Sequence, residues 1–130
     1  FEITPQGYTC GVGYYCTTPQ LMQAYRDAIL ADPAAFRRAV RKAERAGFAF
    51  GGESYKKDKP GNVPEDLRTY YNQKDAFVCR ENPSLAPLRD AGIIEEFKKG
   101  FQELAPLYHF LQKASESIEM PPEESARESF

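Results

Sequence analysis

The densest polar run in the 130-residue chain is Glu53-Ser54-Tyr55-Lys56-Lys57-Asp58-Lys59-Pro60-Gly61. Three ammonium groups on one loop, directly after Gly51-Gly52, can hold a phosphate or a carboxylate as point charges. Arg80, at the end of the run Asp75 to Arg80, adds a guanidinium that could extend the same basic surface. A carboxyl such as Glu53 serves as general acid or base when burial raises its pKa. With Lys56 or Lys57 steadying an anion and Tyr55 positioning substrate, the loop would then suit a hydrolase or a group-transfer enzyme. The plainer expectation is a solvated connection. No paired carboxylates and no metal-ligand spacing lift catalysis above it.

Gly11-Val12-Gly13 precedes a helix start and invites a dinucleotide-binding reading. The third glycine of that fingerprint would fall at Cys16, and no acid follows at the right place. Gly11 and Gly13 instead share one strand face and leave bare backbone, which lets a helix or a ligand approach closely; helix packing is the expected cause. A nucleophilic cysteine needs a base and an electropositive setting. The sole histidine, His109, flanks an apolar helical stripe and reads as partly buried and structural. One histidine rules out a two-His zinc site. No motif calls for a metal or a cofactor.

The elements that must position these residues are legible from caps and periods. Phe1 to Thr4, a turn at Pro5-Gln6-Gly7, and Tyr8 to Cys16 read as a β-hairpin. Thr18-Pro19 and Asp32-Pro33 are two helix starts, each with a capping side chain before a proline. Leu21, Met22, Tyr25, Ala28 and Ile29 stripe the first helix; Phe36, Ala39, Val40 and Ala43 stripe the second, which Gly47 ends. The second helix also shows Arg37, Arg38, Arg41, Lys42 and Arg45 against Glu44, a face expected to be simply solvated. A short strand over 47–52 points Phe48 and Phe50 inward. Pro64 to Tyr71 is a short helix with Leu67, Tyr70 and Tyr71 inward, and Asp75 to Arg80 is another strand. A long helix spans Gly92 to Ala114, striped by Ile93, Ile94, Phe97, Phe101, Leu104, Ala105, Tyr108 and Leu111, with a kink expected at Pro106. This order is not a βαβ alternation. It predicts an α+β fold, a small mostly antiparallel sheet of about four strands covered by helices.

Hydrophobic residues make up 42% of the chain and charged residues 28%, an ordinary globular balance. Residues 1–115 read as a single domain. From Glu116 onward, five acids against one base and two adjacent prolines make an acidic tail, expected to be mobile. The whole chain nets −2, which argues against a general nucleic-acid binder. No apolar run approaches the roughly 20 residues of a membrane span, so no membrane partner is expected. Cys10, Cys16 and Cys79 are an odd set, which points to a reducing compartment and a cytoplasmic location. Cys10 and Cys16, placed on one strand, would stand ~20 Å apart, and a bridge needs less than about 7 Å.

Taken in order, many short runs resemble one family, the conserved hypothetical domain of unknown function 2461. They are Gly11-Val12-Gly13-Tyr14-Tyr15 with Pro19 and Leu21, Tyr25-Arg26-Asp27-Ala28-Ile29, and Asp32-Pro33-Ala34-Ala35-Phe36. Then come Gly52-Glu53, Lys56-Lys57, Pro60-Gly61, Pro64-Glu65-Asp66-Leu67, Tyr71-Asn72-Gln73-Lys74, Gly100-Phe101 and the run from Leu104 to Leu111. Arg80 matches a basic position after its strand. Members are longer, so the resemblance implies a C-terminal half or a shortened relative. It carries no established activity and therefore no catalytic residue.

The expected function is a non-catalytic binding or interaction domain. Its basic loop, Lys56, Lys57 and Lys59, extended by Arg80 and the basic second helix, would take a small anionic ligand or a protein partner. The alternatives are the Glu53-based enzyme and a structural subunit of an assembly, whose partner would cover the strand edge at Phe1.

Overall fold

The computed structural model describes residues 1–118. A turn at Pro5 and Gln6 joins strand β1 (Glu2–Thr4) to β2 (Gly7–Gly13), with Thr4 opposite Gly7. β2 pairs antiparallel with β4 (Phe77–Asn82) from Tyr8 opposite Asn82 to Gly13 opposite Phe77. The two-residue β3 (Ala49–Phe50) closes the other side of β4, giving a four-stranded antiparallel sheet in the order β1-β2-β4-β3. β2 stops at Gly13, short of the expected Cys16. One further ladder bond, Tyr14 N to Ala76 O at 3.0 Å, survives before Tyr15 and Cys16 turn into solvent. All three cysteines are free thiols.

Helices α1 (Pro19–Ala31) and α2 (Pro33–Arg45) begin where their caps predict. Thr18 Oγ1 accepts from Leu21 N at 3.1 Å, and Asp32 Oδ1 accepts from Ala35 N at 3.0 Å. Asp32 also donates its own N–H to the Ala28 carbonyl, so one residue ends α1 and starts α2. Such a junction forces a sharp corner, because Pro33 cannot continue the preceding helix. A 3₁₀ turn at Glu65–Leu67 runs into α3 (Arg68–Tyr71), and a second one covers Ala86–Arg89. The long α4 (Ile93–Glu116) is continuous through Pro106.

The expected stripe of α2 is buried in full: Phe36, Ala39, Val40 and Ala43 are all at most 4% exposed. The stripe of α4 needs correcting. Ile93, Leu104 and Leu111 are buried, with Gly100, Leu107 and Ala114 completing the face, whereas Ile94, Phe101 and Tyr108 are 56%, 44% and 47% exposed. The helix is rotated because Gly100, not Phe101, meets Phe48 and Arg80. A Cβ there would lie 3.4 Å from the Phe48 ring and 3.1 Å from Arg80 Nη2. At the centre of the core Phe36 touches the rings of Tyr25, Phe50, Tyr70 and Phe110 at centroid distances of 5.0 to 6.3 Å, mostly edge to face. The acidic tail expected over 116–130 falls, from residue 119 onward, outside the described residues; Glu116 still belongs to α4.

Candidate functional site

The polar run after Gly52 is pinned down, not a loose connection. Ser54 bridges to Gln73, Lys74 N donates to Glu53 O at 2.7 Å, and Tyr55 N donates to Asn72 O at 2.9 Å. The buried Asn72 side chain accepts from Lys59 N and donates to Asp58 Oδ1, both at 2.9 Å. Gly61, at φ +148°, lies where a side chain would strike the Tyr71 hydroxyl, which itself bonds the Pro60 carbonyl. The segment 71–74 therefore acts as a template for 53–61.

Beneath that template lies Arg26, 3% exposed on α1. Its Nε donates to Tyr71 O at 3.0 Å and its Nη2 to Gln73 O at 2.9 Å. A buried charge is tolerated when polar groups meet it, and two carbonyl dipoles accept from two of its donors. Above it, the Tyr55 ring has three cations around it. Lys59 Nζ stands 4.0 Å from the ring centroid, the Arg26 guanidinium 5.5 Å and Lys74 Nζ 5.7 Å. These groups, with Thr17, Thr18 and the start of α1 as far as Gln23, line a pocket of about 260 Å³. The helix start contributes its own positive end to the same space.

The sequence-predicted residues separate into four groups. Tyr55 and Lys59 are together in this pocket. Lys56 and Lys57 are exposed and do not line it. Glu53 flanks the site, its side chain 79% exposed and tied to Lys74 at 3.1 Å. Arg80 is remote from them, in a separate cleft of about 640 Å³ between the end of α2 and α4. There its guanidinium stacks on Phe48 at 4.6 Å and Nη1 donates to the Ala46 carbonyl at 2.9 Å. It closes the negative C-terminal end of α2. The glycine pair corrects another expectation. Side chains at Gly11 and Gly13 would collide with the backbone of β4 at Val78, Cys79 and Phe77, so neither helix nor ligand is the cause of the bare backbone.

His109 is exposed, not partly buried, with its ring beside Tyr108. Burial, with Glu81 and Cys10 adding, pushes the Cys79 thiol up, which disfavours a thiolate nucleophile. Among the described residues no group of three or more His, Cys, Asp or Glu side chains could hold a metal. Nor, among them, is any helix long and apolar enough to cross a membrane.

A family model for conserved hypothetical protein (DUF2461) matches residues 1–110. The chain belongs to this family. Neither the curated proteins nor the solved structures offer a match. In this member of the family the residues that build the pocket without being expected there are Arg26, Asn72 and Lys74. All three lie inside runs that carried the resemblance, Tyr25 to Ile29 and Tyr71 to Lys74. Reading the first of these only as a helical stripe gave Arg26 no role.

Proposed function

We propose that this domain is a non-catalytic binding module for a small carboxylate- or phosphate-bearing ligand, held at the Tyr55 pocket. The observation that carries the reading is the convergence of Arg26, Lys59 and Lys74 on one aromatic ring at the start of α1. Arg26 spends two of its donors on carbonyls, so Lys59, and Lys74 on exchanging its Glu53 partner, are the charges that meet the anion. Glu53 lacks the burial that an acid/base role calls for, and the hydrolase or group-transfer reading gains no support from its position. The three free thiols support a reducing, cytoplasmic setting.

Calorimetric titration with inorganic phosphate and with citrate tests this. Affinity should weaken as salt rises. Exchanging both Lys59 and Lys74 for Ala should weaken binding by about 10-fold or more, the scale of a charge-assisted hydrogen bond. Exchanging Lys56 and Lys57 should change little. Equal affinity in the Lys59/Lys74 double variant would end the proposal.

A second reading, a subunit that meets a protein partner, draws on the sheet edge. β1 is an edge strand; Ile3 on it is 57% exposed, and Phe1 just before it is 61% exposed. Light scattering that shows a strict monomer at high concentration would count against self-assembly through that edge.

A further inference from the structure

The sharp corner at Asp32 sets α1 and α2 side by side across α4. α2 runs antiparallel to α4, since Phe36 meets Phe110 at 5.0 Å while Phe48, beyond the other end of α2, meets Gly100. Where the three helices face one another the sequence supplies methyl groups: Ala24, Ala28 and Ala31 from α1, Ala35 and Ala39 from α2, Ala114 from α4. Side chains this small cannot fill the space between helices, and a groove of about 760 Å³ remains, closed on the α4 side by Pro106 and Phe110. That volume lies within the range of small-molecule sites, about 300–1,000 Å³.

The rim of this groove is charged unevenly. Arg38 and Lys42 from α2 and Lys113 from α4 line it, and none of the three pairs with a carboxylate among the described residues. Of the other cations of α2, Arg37 binds Asp66 and Arg45 reaches the Arg41 carbonyl, while Arg41 does not line the groove. The two acids on the rim, Asp27 and Asp32, lie on α1 and at its end, where they accept from Gln23 Nε2 and Ala35 N. An apolar floor with positive charge along one side matches a molecule with a slender hydrocarbon body and an anionic head. A free inorganic anion would waste the floor, and a neutral lipid would waste the rim.

We infer that the groove between α1, α2 and α4 binds an amphipathic carboxylate, its chain on the alanine floor and its head against Arg38, Lys42 and Lys113. The site shares no lining residue with the Tyr55 pocket and stands independently of it. It also assigns a role to the basic face of α2 that is separate from the lysine loop.

Titration of the full chain with decanoate, decan-1-ol and acetate, followed by calorimetry and by NMR shifts of the α2 amides, tests the inference. At the α2 amides decanoate should saturate one site, decan-1-ol should bind about 10-fold more weakly and acetate should cause no shift, a tenfold loss being about 1.4 kcal/mol. The surface double variant Arg38→Glu/Lys42→Glu should lose the preference for the carboxylate over the alcohol. Ala31→Leu, at an exposed position on the rim, should obstruct the chain and weaken both ligands. Lys59→Ala/Lys74→Ala should show the same decanoate-induced shifts of the α2 amides as the parent, which separates this site from the pocket above. Failure of decanoate to bind, equal binding of acid and alcohol, or indifference to both groove variants would overturn the inference.

Discussion

The Tyr14 hydroxyl donates a 2.6 Å hydrogen bond to the carbonyl of Leu111, 97 residues further along the chain. Tyr14 stands one residue past β2, and Leu111 lies on the buried face of α4, so a single bond clamps the sheet to the long helix. Tyr14→Phe keeps the ring and removes only the clamp. The expected cost is about 1 kcal/mol, the net worth of one such bond, read as a melting temperature lower by roughly 3–6 °C. Anion affinity at the Tyr55 pocket should not move. An unchanged melting temperature would show that the bond adds nothing to stability.

Alkaline pH should unfold this domain early. Burial pushes Tyr14 up to about 12, and it pushes Tyr70 up to about 12 with help from its hydrogen bond to Glu44. Tyr25, buried at the centre of the core, is raised further still. In the unfolded chain these phenols ionise near their ordinary value of about 10. Above that pH the unfolded state gives up protons that the folded state retains, so stability falls as pH rises. The window opens at about pH 10 and extends through about pH 12, where Tyr14 and Tyr70 ionise in the folded protein. Each tyrosine contributes at most about 1.4 kcal/mol per pH step, and Tyr70 less because it keeps solvent contact. The urea midpoint should be flat from about pH 7 to 9 and decline steadily above 10, and Tyr14→Phe should make the decline shallower. Equal midpoints at pH 9 and 11 would contradict the burial of these hydroxyls.

Gly11 and Gly13 make opposite claims from Gly92. A Cβ at Gly11 would strike the Val78 carbonyl oxygen and lie 2.8 Å from Cys79 Cα; at Gly13 it would lie 2.6 Å from Phe77 Cα. Backbone atoms of a central strand cannot step aside, so Gly11→Ala and Gly13→Ala should each cost about 2 kcal/mol or more. At Gly92, with helical dihedrals before α4, the new methyl meets only the flexible Asp90 carboxylate at 3.3 Å. Gly92→Ala should be neutral or stabilising by up to about 1 kcal/mol, through the unfolded chain. Denaturant midpoints of the three variants check the ranking, and a tolerated Gly11→Ala would mean that β2 and β4 can separate locally.

Where local chemistry decides, the sequence is informative. Asp32 before Pro33 marks the corner between helices because capping and proline geometry are properties of adjacent residues. Phe36, Ala39, Val40 and Ala43 mark a buried face because apolar spacing alone sets it. α4 misleads by one position, since a search for large side chains selects Phe101 and Tyr108 and passes over Gly100, the residue that packs by having no side chain. The candidate site is half legible. Tyr55 and Lys59 belong to a conspicuous polar run, but their grouping with Lys74 depends on Asn72 and Arg26, whose hydrogen bonds cross 13 to 47 positions. No local pattern encodes contacts of that range. Arg80 shows the converse, a residue with suitable chemistry whose nearest carbonyl, Ala46, turns it into a helix cap.

Arg26 offers the most discriminating variant, because one guanidinium spans two backbone carbonyls, Tyr71 O and Gln73 O. Lysine carries the same charge on a single nitrogen and cannot reproduce that fork. Arg26→Ala leaves both carbonyls buried without their donor, at about 1–3 kcal/mol each. Arg26→Lys should lose roughly half of that stabilisation. Both variants should loosen the template at 71–74 before they loosen the core. Amide hydrogen exchange of Tyr55, Lys59 and Lys74, whose N–H groups bond Asn72 O, Asn72 Oδ1 and Glu53 O, should therefore accelerate more than exchange in α2. Phosphate affinity should fall in step with that exchange, since Lys59 and Lys74 would no longer be held beside Tyr55. Undiminished protection of these three amides in Arg26→Lys would show that the loop holds its shape without the buried charge, and that Arg26 serves α1 alone.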